Sequence, residues 1–98
     1  MPMQSMLIPA NADNTIILTK SPLRIGRRET CDVILEYRKL SGVHAELIFE
    51  SATWKIRDVR SRNGIKVNGI RLRSGTLHEL CNGDEIELAD LPFIFVTK

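Results

Sequence analysis

The sequence is poor in cysteine and aromatic residues and has no long apolar run. Cys31 and Cys81 lie far apart and form no C-x-x-C pair, so neither a disulfide framework nor a zinc site is indicated. The longest apolar run, residues 91–96, is too short to cross a bilayer. The first residues lack the basic and apolar regions of a secretory signal. We therefore expect a cytoplasmic or otherwise intracellular protein, the nucleus included, with reduced thiols and no metal, cofactor or membrane partner.

The composition is that of an ordinary globular chain, with 43% apolar and 27% charged residues. A length of 98 residues leaves room for one domain with its own core. The net charge is only +2, but residues 20–73 hold 13 of the 14 basic residues. This asymmetry suits an anionic partner, but on charge alone a solvated surface of mixed charges is the favoured explanation.

Short apolar runs with strand periodicity follow one another along the chain, and no segment has helical periodicity. In "HAELIFE" Ala45, Leu47 and Phe49 alternate with more polar neighbours, and in "TWKIRDV" Trp54 and Ile56 do the same. Asn-Gly pairs at 63–64, 68–69 and 82–83 separate later runs and favour tight turns in a β-meander. The sequence predicts an all-β sandwich or barrel of about ten strands over residues 15–98, preceded by a flexible segment over residues 1–14.

Ser41 and His44 in "LSGVH" raise the question of a nucleophile with its base, with Asp58 as a third member. No helix follows Ser41, so the strained strand-to-helix turn that exposes a nucleophilic serine in hydrolases is not predicted. Residues three apart on an extended chain point to opposite faces, so the spacing does not bring serine and imidazole together. His44, His78 and the two cysteines have no metal-ligand spacing. A binding site is therefore favoured over an active site.

Three loops carry the donors that a phosphate needs. "RIGRRE" supplies Arg27, "KLSGVH" supplies the Ser41 hydroxyl, and "RSRNG" supplies Arg62 and Asn63. A guanidinium can donate to two phosphate oxygens at once, and an asparagine amide offers a donor and an acceptor to a peptide backbone. The alternatives are a solvated Arg27, a turn-capping Ser41 and an Asn63 required only for a left-handed backbone before Gly64.

The ordered motifs "IGRRETCDVIL", "LSGVHAEL", "IRDVRSRNGIKVNG" and "LCNGDEIEL" resemble those of the forkhead-associated (FHA) domain family over roughly residues 15 to 97. The resemblance implies a sandwich of two twisted antiparallel sheets with about 10–11 short strands. It also implies a non-catalytic module that binds phosphothreonine in an extended segment of a partner protein through loops at one end of the sandwich.

The roles that the resemblance implies fall on matching positions. Arg27 and Ser41 would bind the phosphate and Asn63 the peptide backbone, while Arg62 flanks the phosphate. Lys39, Gly42 and Arg28 are further candidate contacts. Structural support would come from five matching residues, namely Gly26, His44, Gly64, Asn68 and Gly69. Asp58 would close the turn before "SRNG".

Gly42 departs from the family pattern, in which arginine, lysine or asparagine often follows the serine. One phosphate contact is thus missing, and a hydrogen bond to a charged group contributes about 1.5 to 3 kcal/mol. The expected affinity for phosphate is therefore markedly lower, unless Lys39 or Arg62 reaches in from a neighbouring loop to replace the contact. The alternative function is a phosphate-independent interaction or assembly domain with the same fold. Binding of nucleic acid is not expected, because few aromatic residues are available for base stacking.

Overall fold

The computed structural model describes residues 4–10 and 15–97, and within these ranges the regular secondary structure consists of strands alone. None of the described residues belongs to a helix long and apolar enough to cross a membrane. The strands are β1 (Ser5–Pro9), β2 (Ile16–Ile17), β3 (Leu23–Gly26), β4 (Val33–Ile34), β5 (Ala45–Glu50), β6 (Thr53–Asp58), β7 (Ile65–Val67), β8 (Ile70–Arg71), β9 (His78–Glu79), β10 (Glu85–Leu88) and β11 (Leu91–Thr97).

The strands form two sheets, with the order β2-β1-β11-β10-β7-β8 in one and β4-β3-β5-β6-β9 in the other. The predicted all-β sandwich is confirmed. The chain passes from one sheet to the other between β6 and β7, so consecutive strands do not form the simple meander that the turns suggested. The pairs are antiparallel except for β3 and β4, which are parallel with Ile25 opposite Val33. This short parallel pair is a detail that the sequence did not predict.

Alternation along β5 and β6 places the core between the sheets. Ala45, Leu47 and Ile56 are fully buried and Trp54 is nearly so, as their spacing predicted. Glu46 differs, because it is only 4% exposed although its period places it on the outer face. Cross-strand neighbours explain the burial, since Glu46 stands between Arg24 of β3 and Arg57 of β6 and forms ion pairs with both. Two guanidinium groups cover and satisfy its carboxylate.

The prediction of a flexible segment over residues 1–14 does not hold for Ser5–Pro9. This strand pairs with β11 along its whole length, and Leu7 in its middle is fully buried. The sandwich therefore begins at Ser5 rather than at residue 15. Residues 1–3 and 11–14 of the predicted segment lie outside the described residues.

The β7–β8 hairpin shows how an Asn-Gly pair sets a turn. Val67 and Ile70 are opposite each other, so Asn68 and Gly69 form a two-residue turn, with φ values of 52° and 84°. Positive φ at both central residues gives the twist that adjacent strands need. At the pair 63–64 only Gly64 has a positive φ, of 79°. Asn63 is thus not required for a left-handed backbone, and that alternative is wrong.

Candidate functional site

Three loops at one end of the sandwich enclose an open groove. They are the β3–β4 loop, the β4–β5 loop and the β6–β7 loop. The groove is lined by Arg27, Glu36, Tyr37, Arg38, Lys39, Leu40, Ser41, Gly42, Arg62 and Asn63. Six residues predicted from the sequence are thus brought together. Tyr37 and Arg38 were not predicted, although the run "YRK" beside Ser41 is a signal that could have drawn attention to them.

Backbone hydrogen bonds hold the β3–β4 and β4–β5 loops side by side. The amide of Arg27 donates to the carbonyl of Ser41 at 3.2 Å. Gly26 permits this approach, because a Cβ there would lie 2.2 Å from the Gly42 oxygen and 2.9 Å from the Val43 Cα. Gly26 was matched to a turn glycine, but it is the last residue of β3 and its role in the structure is steric. No side chain fits at this position without moving backbone.

Ser41 presents its hydroxyl to the groove. Its Oγ accepts a hydrogen bond from the Arg62 amide at 2.9 Å, which joins the β4–β5 loop to the β6–β7 loop. Its proton makes no hydrogen bond to the described residues, which leaves the O–H as a donor for a ligand. A hydroxyl has one proton and two lone pairs, so both functions are compatible.

His44 is fully buried beneath the same loops. Its Nδ1 accepts from the Ser41 amide at 3.1 Å, and its Nε2 lies 2.8 Å from the Gly64 carbonyl oxygen. Because a carbonyl only accepts, Nε2 carries the proton and Nδ1 carries none. Both ring nitrogens are occupied by backbone groups, so the imidazole braces two loops and does not contact the Ser41 hydroxyl.

The Asp58 carboxylate, like the His44 imidazole, makes its hydrogen bonds with backbone groups and not with the Ser41 hydroxyl. Its Oδ1 accepts from the Ser61 amide at 3.0 Å, and the Ser61 Oγ accepts from the Gly64 amide at 2.9 Å. These bonds fold the β6–β7 loop into a tight turn. The hydrogen bonds of the described residues therefore do not assemble Ser41, His44 and Asp58 into a catalytic triad.

Asn63 connects the β6–β7 loop to the β4–β5 loop. Its Nδ2 donates to the Lys39 carbonyl at 2.8 Å. The side chain still has a second N–H and the Oδ1 acceptor available on an exposed residue. It can therefore hold the loops together and also bind a peptide backbone.

The ammonium group of Lys39 is engaged by the chain itself. It lies 2.6 Å from Asp90, which also accepts a hydrogen bond from the Tyr37 hydroxyl. The Lys39 ammonium and the Tyr37 hydroxyl hold the pKa of Asp90 below its ordinary value. Asp90 in turn raises the pKa of Lys39 and of Tyr37 by accepting from them. Lys39 is thus an internally neutralised cation, in contrast to Arg27 and Arg62, which form no ion pair with the described residues.

The remaining predicted residues lie behind or beside the groove. Gly64 has a left-handed backbone, and a Cβ there would lie 2.7 Å from the Arg71 Nε. Asn68 is tied to the start of β10, where its Nδ2 donates to Asp84 and its Oδ1 accepts from the Glu85 amide, both at 3.0 Å. Arg28 lines a neighbouring groove instead of this one.

Comparisons with known proteins agree with this architecture. A family model described as the FHA domain matches residues 23–89. The transcriptional regulatory protein EmbR of Mycobacterium tuberculosis is 35% identical over 78 residues, covering 80% of this chain and 20% of EmbR. The glycogen accumulation regulator GarA of Mycolicibacterium smegmatis is 31% identical over 87 residues, covering 89% of this chain and 53% of GarA. The chain thus spans about half of GarA and a fifth of EmbR.

A solved structure shows the same fold. The structure of Mycobacterium tuberculosis EmbR in complex with a low affinity phosphopeptide superimposes with a TM-score of 0.87 at 30% identity. The match covers 95% of this chain and 24% of the EmbR chain. The described strands therefore correspond to one part of a longer protein in that structure.

Proposed function

Because the chain belongs to the FHA domain family, as its motifs predicted, we propose that it is a non-catalytic module that binds phosphothreonine in an extended segment of a partner protein. The partner is a threonine-phosphorylated protein or peptide, and the bound phosphate lies in the groove of Arg27, Ser41, Arg62 and Asn63. EmbR, a relative by sequence and structure, has been solved with a phosphopeptide.

The arrangement around the Ser41 hydroxyl is the observation that carries the proposal. Its oxygen is fixed by the Arg62 amide, its proton is available, and Arg27 and Arg62 line the same groove. A phosphate carries up to two negative charges and three acceptor oxygens. Charge-assisted hydrogen bonds from guanidinium and hydroxyl donors are the strong contacts for such a group.

Asn63 has a different part in the mechanism. An extended peptide beside the phosphate exposes backbone N–H and C=O groups that need partners. The Oδ1 and the second N–H of Asn63 can accept from and donate to that backbone. Because the same side chain also holds the Lys39 carbonyl at 2.8 Å, it is already oriented before the ligand arrives.

The test is titration with two peptides that differ only in phosphorylation of one threonine. The phosphorylated peptide is expected to bind and the unmodified peptide to bind at least tenfold more weakly. Arg27→Ala removes charge-assisted contacts of about 1.5 to 3 kcal/mol, which corresponds to about a 10- to 150-fold loss of affinity. Lys66→Ala is a matched control, because it removes an exposed positive charge that does not line the groove. Lys66 lies on β7, between the buried Ile65 and Val67.

Equal affinity for the two peptides would contradict the proposal. Both variants should unfold at nearly the wild-type temperature, since Arg27 is exposed and its side chain makes no hydrogen bond to the described residues. A screen of a degenerate phosphothreonine peptide library would then give the residues preferred around the phosphate.

A second candidate function is phosphate-independent binding or assembly through the same surface. Gly42 favours it, because the position has no side chain to contact a phosphate, and Lys39 does not compensate while Asp90 holds it. Binding of a partner that survives phosphatase treatment would support this function. The effect of phosphatase treatment on partner binding therefore distinguishes the two candidate functions.

The setting of the module is also part of the proposal. EmbR and GarA are named as regulators and are longer than this chain. We place the domain in an intracellular regulatory protein, where phosphorylation of a partner determines whether the two associate.

A further inference from the structure

A second groove adjoins the first on the other side of Ser41 and Gly42. Three arginines, Arg24, Arg28 and Arg60, contribute to its lining. The remaining lining residues carry no charge, so no carboxylate lines the groove. The sequence did not single out Arg24 or Arg60, because they lie 36 residues apart and meet only in the folded sandwich.

Arg28 is seated over Gly42. Its amide donates to the Gly42 carbonyl at 3.0 Å. A Cβ at Gly42 would lie 2.7 Å from the Arg28 Nε and 3.1 Å from its Cγ. The side chain thus lies across the glycine, and a larger residue at position 42 would displace it. Gly42 therefore does more than omit a contact, since it places a guanidinium beside Ser41.

Arg60 has an unusual backbone for its residue type. Its φ is 48°, in the left-handed region that residues with a Cβ seldom adopt. The conformation is held by the bond from its amide to the Ser74 Oγ at 3.1 Å. Such backbone outliers concentrate at functional sites, where the surrounding structure maintains them.

The charges of this groove are only partly neutralised. Arg24 shares the buried Glu46 with Arg57. Arg28 and Arg60 are exposed and form no ion pair with the residues that the structure describes. Exposed arginines beside a hydroxyl donor suit a carboxylate or phosphate, both of which a guanidinium binds through two parallel hydrogen bonds.

We propose that Arg28 and Arg60, with Arg24, form a second anion subsite that recognises an acidic or phosphorylated residue flanking the phosphothreonine on the same peptide. This inference rests on the proposed function, because the two grooves share Ser41 and Gly42. In this proposal the arginines of the second groove determine which flanking residues the domain prefers. They provide an anion contact on the other side of the loop from the one that a side chain at position 42 would make.

The test uses three sets of peptides built on one phosphothreonine sequence. The first has neutral flanks, the second has a single aspartate moved through the flanking positions, and the third has a phosphoserine at the same positions. The measured quantity is the ratio of the affinity of each flanked peptide to that of the neutral phosphopeptide. We expect at least one position with a ratio of about two to five, as for one exposed charge pair. The larger of the aspartate and phosphoserine ratios identifies the preferred anion.

Variants then assign the ratio to the subsite. Arg28→Ala and Arg60→Ala should each bring it close to one, and Gly42→Ala should lower it, because its Cβ displaces the Arg28 side chain. Arg28→Lys should retain part of it, because the charge remains but the paired donors do not. Lys66→Ala, which removes the same charge from the other sheet, should leave the ratio unchanged.

A ratio near one for every flanked peptide would overturn the subsite, as would a ratio that survives in Arg28→Ala and Arg60→Ala. Failure of the proposed function is a separate result. It would appear as equal affinity for the neutral peptide with and without phosphate on threonine.

Discussion

Removal of the His44 imidazole is the most direct test of how the groove is built. His44→Ala deletes the acceptor of the Ser41 amide and the donor to the Gly64 carbonyl, both in a fully buried place. A buried polar group left without a partner costs about 1 to 3 kcal/mol. Two such groups give about 2 to 6 kcal/mol, to which the cavity adds.

The expected loss is a large fraction of the stability of a domain of this size, which is typically about 5 to 15 kcal/mol. Urea unfolding of the wild type and of His44→Ala, with the midpoint and slope fitted separately, measures this loss of stability. In thermal unfolding a loss of 3 kcal/mol would lower the midpoint by roughly 12 to 24 °C. Binding of a phosphothreonine peptide should also weaken in the folded variant, because Ser41 and the turn at Gly64 lose their common brace.

His78→Ala is the matched control, since His78 is the other histidine of the chain. It is half-buried on β9, and its side chain makes no hydrogen bond to the described residues. The stability of His78→Ala should fall by no more than about 1 kcal/mol, which is typical of a site where the side chain makes no specific interaction. If His44→Ala were no more destabilised than His78→Ala, the bracing role of His44 would be refuted. If His44 were instead the general base of a nucleophilic serine, His44→Ala would keep its stability and lose only catalytic activity.

Two further changes test other contacts of the groove. Gly26→Ala places a Cβ 2.2 Å from the Gly42 oxygen, so we expect the β4–β5 loop to shift. The free energy of unfolding in urea should fall by about 1 to 3 kcal/mol, and peptide binding should weaken. Wild-type stability together with wild-type peptide affinity would contradict the close approach of the two loops. Asp90→Asn frees the Lys39 ammonium and should strengthen binding of the phosphorylated peptide in calorimetry, whereas Glu79→Gln on β9 should not. Since hydrogen bonds to Lys39 and Tyr37 lower the pKa of Asp90 and the bond to Asp90 raises the pKa of Lys39, both groups stay charged across the neutral range and their pair is lost only in strong acid or strong base. The wild type and Asp90→Asn should therefore lose affinity in parallel between pH 7 and 5, where the phosphate of the peptide takes up a proton near pH 6; divergence in that range would contradict the assignment.

The sequence predicted the fold well wherever a strand shows its own period. Ala45, Leu47, Trp54 and Ile56 entered the core as their alternation required. Ser5–Pro9 was missed because its five residues carry little pattern, and its stability comes from pairing with β11 at the far end of the chain. Strand order is likewise set by packing between distant segments, so turn signals alone did not give it.

The site was predictable where a residue's role depends on its place in a loop. Ser41, Arg62 and Asn63 belong to short motifs, and the structure brings them into one groove. The diversion of Lys39 to Asp90 was not predictable, because it joins side chains 51 residues apart. The position of the Arg28 side chain across Gly42 was missed for another reason, because sequence spacing does not give the direction of a side chain across a loop.

The distribution of ion pairs favours recognition of an anion over a purely structural use of this surface. Lys20, Arg24, Lys39, Lys55 and Arg57 each pair with a carboxylate of the chain. The arginines around the two grooves that form no such pair with the described residues are Arg27, Arg28, Arg38, Arg60 and Arg62. Unneutralised like charges oppose folding, and a phosphate-independent surface would have no reason to keep them together. In the proposed function a ligand phosphate would supply the missing counter-charge, which would explain why a chain of net charge +2 retains so positive an end.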